Sequence, residues 1–394
     1  MSDDSRSFRS LGNSSAHFSL LKDIGAASNP GSVRTHQKRR NIMLALRLYG
    51  PADARLDNIP EPEIRPGTVK VRITSAGICG TDLTFYETAP IPADHPHPLI
   101  GEAGPHILGH EISGYVTEIG DGVDGIEVGA LVAILPTLID GTCSACMRGE
   151  TNLCEQLGCL GINGGGGGFA EYVVAPASNV FVLPSGFTPE VGAMVEPLSV
   201  SQHAVRQSGI KAGDTALVIG GGPIGLGLLL CLQARGVARI IISEVSKSRR
   251  QLAAALGADP IDPTVTDPVA YTREVTDSQG ADASFDAAGV GDVTFRPAFD
   301  GLRKGGTTVA VALYHAPATI DPAALMLTEK KCTGSYAYTR DDFQSVIDAI
   351  ESGKIDPLPL ITKRILLEEI LENGFNLLLG AGRDAEAKIM VLNK

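Results

Sequence analysis

The run Thr215-Ala216-Leu217-Val218-Ile219-Gly220-Gly221-Gly222-Pro223-Ile224-Gly225 decides how this 394-residue chain is read. Ala216–Ile219 is a short apolar run that reads as a buried strand, and the residues up to about Arg235 read as a helix. Gly220, Gly222 and Gly225 stand at the spacing G-x-G-x-x-G. That pattern is weak alone, but here it follows a strand and opens a helix, which is the context it requires. Gly220 makes the tight turn, Gly222 lets the backbone approach a pyrophosphate, and Gly225 lets helix and strand pack closely. The phosphates then meet the positive end of the helix dipole. Glu244 lies 19 residues beyond Gly225, at the end of the next strand, Ile240–Ser243. An acid there bonds a ribose 2′-hydroxyl and repels a 2′-phosphate, which favours NAD over NADP. Arg249 stands close enough to sit beside the adenosine ribose, or to neutralise a 2′-phosphate. Thr215–Ala234 also carries no charge and has the length of a membrane span. Five glycines and Pro223 within it favour a strand, a turn and a helix instead, so no membrane segment is expected.

The alternation continues outward. A helix over Lys247–Leu256 stops at Gly257, a suitable C′ residue, and Ala283–Ala287 and Thr307–Leu313 read as further strands. Strands alternating with helices imply a parallel α/β sheet, a Rossmann dinucleotide-binding domain over 191–349. Before it, 43–190 reads as β-rich. Val69–Ile73 alternates as a half-buried strand, Leu131–Leu135 is a continuous apolar run, and Gly120, Gly122, Gly125 and Gly129 punctuate turns. The tail 350–394 is mixed and ends in the strand-like Ala387–Leu392. Residues 1–42 are Ser-rich and weakly patterned, and read as a disordered extension. They lack the apolar core of a secretory signal, so a cytoplasmic location is expected. A mitochondrial presequence is the alternative, weakened by Asp3 and Asp4.

Composition bounds the partners. Hydrophobic residues are 43% and charged residues 20%, enough apolar material for a real core. Lys+Arg is 33 and Asp+Glu 45, a net charge of −12, which argues against nucleic acid because phosphate contacts need a basic face. Seven cysteines in so long a chain do not suggest a disulfide framework. Cys143, Cys146 and Cys154 are clustered, and three neighbouring thiolates suit a closed tetrahedral zinc site. Asp140, three residues before Cys143, offers an oxygen for the fourth place, while the plain alternative is a set of free cysteines. Cys159, Cys231 and Cys332 are left as packed or unreactive thiols. A second set is Cys79, His110, Glu111 and Glu196. Each alone reads as a core residue, but Cys79 and His110 stand in glycine-flanked segments that can present a side chain to a cleft.

Taken together, Gly77-Ile78-Cys79-Gly80-Thr81-Asp82, Gly109-His110-Glu111, the cysteine loop, Glu196-Pro197-Leu198 and the glycine fingerprint resemble the zinc-dependent medium-chain alcohol dehydrogenase family over nearly all of 43–394. Glu196 resembles the polyol branch, where Glu replaces a Cys at the catalytic zinc. Met43–Gly50, Gly101-Glu102 and the run Gly161–Tyr172 look most like its butanediol/acetoin members. The resemblance implies a β-rich GroES-like catalytic domain (43–190, completed by 350–394) beside the Rossmann domain. It implies that Cys79, His110 and Glu196 hold a catalytic Zn2+, with Glu111 exchanging or supporting, and that Thr81 relays the substrate proton. Asp82 is implied to be structural, and Gly164–Gly168 a flexible turn near the cleft. Two positions depart from the family. Asp140 stands where the first of four cysteines is usual, and Thr84 where a relay histidine often follows. His95, His97 and His106 are expected to be surface residues. The implied reaction is reversible NAD-linked oxidation of a secondary alcohol or vicinal diol to a ketone, 2,3-butanediol/acetoin first. A sorbitol-like polyol, threonine or a biosynthetic alcohol are alternatives, and a non-catalytic NAD-binding protein is the reading from another class. The partners implied are a small-molecule substrate and further copies of the chain, as a dimer or tetramer.

Overall fold

The computed structural model describes residues 41–91, 94–314 and 316–393. The N-terminal extension read from the sequence lies outside them as far as residue 40. Ile42–Gly50 pairs antiparallel with Asp53–Pro60 and with the short strand His106–Ile107. A larger sheet follows, in the order Val180–Val182, Leu131–Ile134, Glu111–Ile119, Thr68–Gly77, Lys388–Leu392, Ile361–Leu366, with Tyr172–Pro176 also on Thr68–Gly77. The C-terminal strand thus pairs with the first long strand of the β-rich region, at Met390↔Gly77, Val391↔Ala76 and Leu392↔Ser75.

The Thr68–Gly77 strand is buried on both faces at Lys70, where simple alternation expects solvent. Lys70 Nζ reaches Glu61 at 2.7 Å and Glu118 at 2.9 Å, so the ammonium is buried with two carboxylates.

The third sheet is parallel throughout, in the order Asp259–Ile261, Arg239–Ser243, Thr215–Ile219, Ala281–Asp286, Leu302–Ala310, Lys331–Gly334. Ala216–Val218 and Ile241–Ile242 are fully buried, as strands covered by helices on both faces must be. The helix Pro223–Ala234 opens at Gly222, and Lys247–Ala255 ends before Gly257 at φ +89°. The strand expected at Thr307–Leu313 instead spans Leu302–Ala310, because its pairing with Ala281–Asp286 begins at Leu302 and ends at Ala310.

One hydrophobic cluster runs from Ala133 and Phe181 through Leu198 to Leu228, Ile242 and Phe285. The helix Val195–Ser208, which carries Glu196, therefore packs within the core shared by the β-rich sheet and the parallel sheet. Among the described residues no helix is long and apolar enough to cross a membrane.

Candidate metal centre and dinucleotide cradle

Register builds the first cluster. Gly77 lies opposite Glu111 on one side and Met390 on the other. A Cβ on Gly77 would lie 1.8 Å from Glu111 Oε2, so only glycine leaves room for that carboxylate. Two residues further on, Cys79 caps the helix Gly80–Thr88. Asp82, buried in its first turn, accepts from the Cys79 amide at 2.8 Å and from the Gly109 amide at 3.1 Å. One carboxylate thus fastens the segment carrying Cys79 to the segment carrying His110. The ligand atoms of Cys79, His110 and Glu111 come within 4.8 Å of one another.

His110 is buried, with Nδ1 3.5 Å from Asp82 Oδ1 and no hydrogen-bond partner among the described residues. Burial disfavours its cation, but the Asp82 and Cys79 charges more than offset this and raise its pKa well above the usual histidine value. Glu111 is fully buried and receives Lys388 Nζ on both oxygens, at 2.6 and 2.8 Å. Burial works against the Lys388 cation, and Glu111 reverses that, so its pKa is raised. Glu196 lies outside the 4.8 Å group. Its Oε1 accepts from the Tyr338 hydroxyl at 2.5 Å. Burial, with Glu111 adding, pushes Glu196 up to about 7 against the pull of His110. A thiol, an imidazole and a carboxylate brought together are a zinc donor set.

Thr81 sits in the same turn, and the Cys79 thiol donates to its Oγ1 at 3.7 Å. Thr84 turns its hydroxyl back to Gly80 O at 3.2 Å.

The second cluster is Asp140, Cys143, Cys146 and Cys154, again within 4.8 Å of one another. The Cys143 and Thr142 amides donate to Asp140 Oδ1 and bring its pKa down to about 2. Asp140 is therefore held as an anion and faces three thiols.

The glycine loop forms a cradle. A Cβ on Gly225 would lie 1.9 Å from Gly220 O, whereas one on Gly222 would meet nothing within 4 Å. The space before Gly222 and the helix N-terminus is open, as a pyrophosphate requires. Glu244 is buried, and its carboxylate accepts from the Gly221 amide at 2.6 Å and the Ser246 amide at 2.7 Å.

Against these local patterns stand the comparisons. The description "Alcohol dehydrogenase GroES-like domain" matches residues 65–185, and "Zinc-binding dehydrogenase" matches 223–352. (R,R)-butanediol dehydrogenase of Bacillus subtilis (strain 168) is 39% identical over 351 residues, covering 89% of this chain and 99% of that protein. The chain belongs to the zinc-dependent medium-chain alcohol dehydrogenase family. The solved 2R,3R-butanediol dehydrogenase of Bacillus subtilis superimposes with a TM-score of 0.84 at 40% identity, covering 89% of this chain and 100% of that one. A Sinorhizobium meliloti 1021 chain crystallised with NADP is 31% identical with a TM-score of 0.82, covering 90% and 100%. As a member of this dehydrogenase family, the protein is an oxidoreductase of CH–OH donors that works with zinc and a nicotinamide dinucleotide.

Several placements differ from the expectations for a family member. Arg249 is engaged within the chain, its Nη2 donating to the Arg383 and Glu386 carbonyls at 2.6 and 3.2 Å. Gly164–Gly168 lies against the metal segment rather than forming a loose turn. The Gly168 amide donates to Gly109 O at 2.6 Å, and a Cβ on Gly167 would be 2.6 Å from Ile107 O and Leu108 O. His106 is buried in a strand, not on the surface. It lines a cavity of about 220 Å³ with Tyr49, Phe85, Ile91 and Ile162 among others, and its Nε2 has no hydrogen-bond partner among the described residues. Lys388 and Tyr338 escaped the sequence reading. A lysine inside the apolar run Ala387–Leu392 was the available signal for the first; Tyr338 offered none.

Proposed function

We propose that this chain oxidises 2,3-butanediol reversibly to acetoin with NAD, at a zinc centre of Cys79 and His110 whose shell Glu196 and Glu111 are the carboxylates able to complete. The observation that carries the reading is the convergence of the half-buried Cys79 with the buried His110 and Glu111 within 4.8 Å, with Thr81 in the first turn of the helix that Cys79 caps. Zinc supplies a Lewis acid that lowers the pKa of the alcohol, and NAD accepts the hydride. The protein positions the groups. Asp82 faces His110 Nδ1 and leaves Nε2 for the metal, the usual way a ligand imidazole is oriented. Lys388 neutralises Glu111 and holds it in reserve. Thr81 takes the proton of the reacting hydroxyl. Thr84 bonds its own helix, so the proton leaves toward water. Asp140, Cys143, Cys146 and Cys154 would hold a second, structural zinc. At the other end, Gly220, Gly222 and Gly225 carry the pyrophosphate, and Glu244 selects the 2′-hydroxyl of NAD.

The catalytic domain is assigned to 43–190 with 350–394 and the NAD-binding domain to 191–349, in a cytoplasmic homo-oligomer. Pairing of Lys388–Leu392 with Thr68–Gly77 supports the split first domain.

A panel of 2,3-butanediol stereoisomers, sorbitol, threonine and simple secondary alcohols, each with NAD and NADP, tests the reading. One butanediol stereoisomer with NAD is expected to give the highest kcat/KM. A decisive preference for NADP removes the role given to Glu244. Cys79→Ser is expected to lose roughly a thousandfold or more in kcat, since the metal contributes several kcal/mol to the barrier. Parental rates in that variant would mean the zinc mechanism is wrong.

A further inference from the structure

Two carboxylates face the Cys79–His110 pair, and each is restrained by a different residue. Glu111 is held by Lys388 and lies inside the 4.8 Å ligand group. Glu196 is held by Tyr338 and lies outside it.

The Tyr338 hydroxyl is itself fixed. The residue is 2% exposed, packs on Phe343, and lies one position before Thr339, the cap of the helix Arg340–Glu351. Ala337, just before it, holds φ +50°, a left-handed conformation that a surrounding structure must impose. Asp342 imposes it. Its Oδ2 accepts from the Thr339 amide at 2.9 Å and hydroxyl at 2.8 Å, and from Arg206 at 3.0 Å, and lies 2.8 Å from His203 Nδ1. His203 and Arg206 belong to the same helix as Glu196, and His203, seven residues on, shares its face. Asn152 adds a further tie, from its Nδ2 to Tyr336 O at 2.9 Å. The helix carrying Glu196 therefore bonds this segment directly at Asp342, and Asn152, whose Nδ2 lies 3.3 Å from His203 Nε2, bridges it to Tyr336.

A buried phenol needs an acceptor, and a core tyrosine often finds one of no consequence. Here the acceptor is one of the two carboxylates able to close the metal shell. A hydroxyl at 2.5 Å from a carboxylate is a strong, charge-assisted bond that competes with a metal for the same oxygen.

We propose that Tyr338 is a positioning residue that restrains Glu196 at the edge of the catalytic metal shell, leaving room for the oxygen of the alcohol. Without the hydroxyl, Glu196 is a buried carboxylate with an unpaired oxygen. The cation between Cys79 and His110 is then its best partner, and the shell closes.

The inference rests on the assignment of Glu196 to that metal. Tyr338→Phe keeps the ring and removes only the hydroxyl. Release of zinc to a chelator is measured for the parent and the variant, with the Co2+-loaded forms compared by difference absorption; the cysteine cluster contributes equally to both. A bond to a charged group is worth about 1.5–3 kcal/mol, so release from the variant is expected to slow roughly ten- to a hundredfold. A changed cobalt spectrum and a raised KM for the alcohol, with an unaltered Kd for NADH, are expected alongside. In Glu196→Gln the effect of Tyr338→Phe should vanish. Equal release rates and identical spectra would overturn the role of Tyr338 alone. A parent cobalt spectrum and metal content left unchanged by Cys79→Ser would overturn the catalytic-zinc reading with it.

Discussion

At the scale of the residue, burial decides what each charge does. Lys388 and Glu111 are both essentially inaccessible, and each is the other's hydrogen-bonded partner of opposite charge. Removing one partner of such a pair leaves the other unpaired in the interior. Lys388→Met is therefore expected to destabilise the metal-free protein by about 3–5 kcal/mol in urea unfolding. The double variant Lys388→Met, Glu111→Leu should recover most of that loss, because no uncompensated charge remains. A loss below about 1 kcal/mol in the single variant would show that water reaches the pair. The sequence made Cys79, His110 and Glu111 visible as neighbours of glycines, but it could not supply Lys388. That residue is 277 positions from Glu111. It arrives only because the C-terminal strand pairs with Thr68–Gly77 at Met390↔Gly77. Tyr338 was invisible for the same reason.

At the scale of the element, strands and helices of the parallel sheet were legible because their periodicity and their punctuation agree. Gly222 opens one helix, Gly257 follows another, and Ile240–Ile242 are buried. Roles inside the glycine loop now separate by what a methyl group would meet. Gly225 has the Gly220 carbonyl 1.9 Å from its Cβ position, so Gly225→Ala must shift the loop backbone. Gly222 has free space and an ordinary φ of −71°. Gly222→Ala should therefore cost less than about 1 kcal/mol of stability, yet weaken NADH binding, because its methyl enters the space left for the pyrophosphate. Gly225→Ala should lose both stability and binding. Thermal unfolding and NADH fluorescence titration, run on both variants, check the contrast. Equal NADH affinity in the parent and Gly222→Ala would place the phosphates elsewhere. The short irregular segments were less readable. Gly164–Gly168 lacks any period, and its tight seat against Gly109 depends on contacts far away in the chain.

At the scale of the whole molecule, the helix Val195–Ser208 is the joint, since it packs in the core shared by the two larger sheets and bonds the Tyr336–Asp342 segment. Composition and spacing carried no hint of this joint, because Asp342 and His203 are each unremarkable and meet across 139 positions. Asp342 makes the joint pH-dependent. Burial alone would raise its pKa, but His203 and the Thr339 cap outweigh burial and lower it. A carboxylate with a depressed folded pKa contributes stability that is fully present above its unfolded value, about 3.9, and is lost as pH falls through the folded value. The stability difference between the parent and Asp342→Asn should therefore be constant near neutrality and shrink on acidification below about pH 4. Urea unfolding of both proteins across that range measures it. A difference that stays constant into the acid range would mean that Asp342 titrates alike folded and unfolded, and that the clamp depends on shape rather than charge.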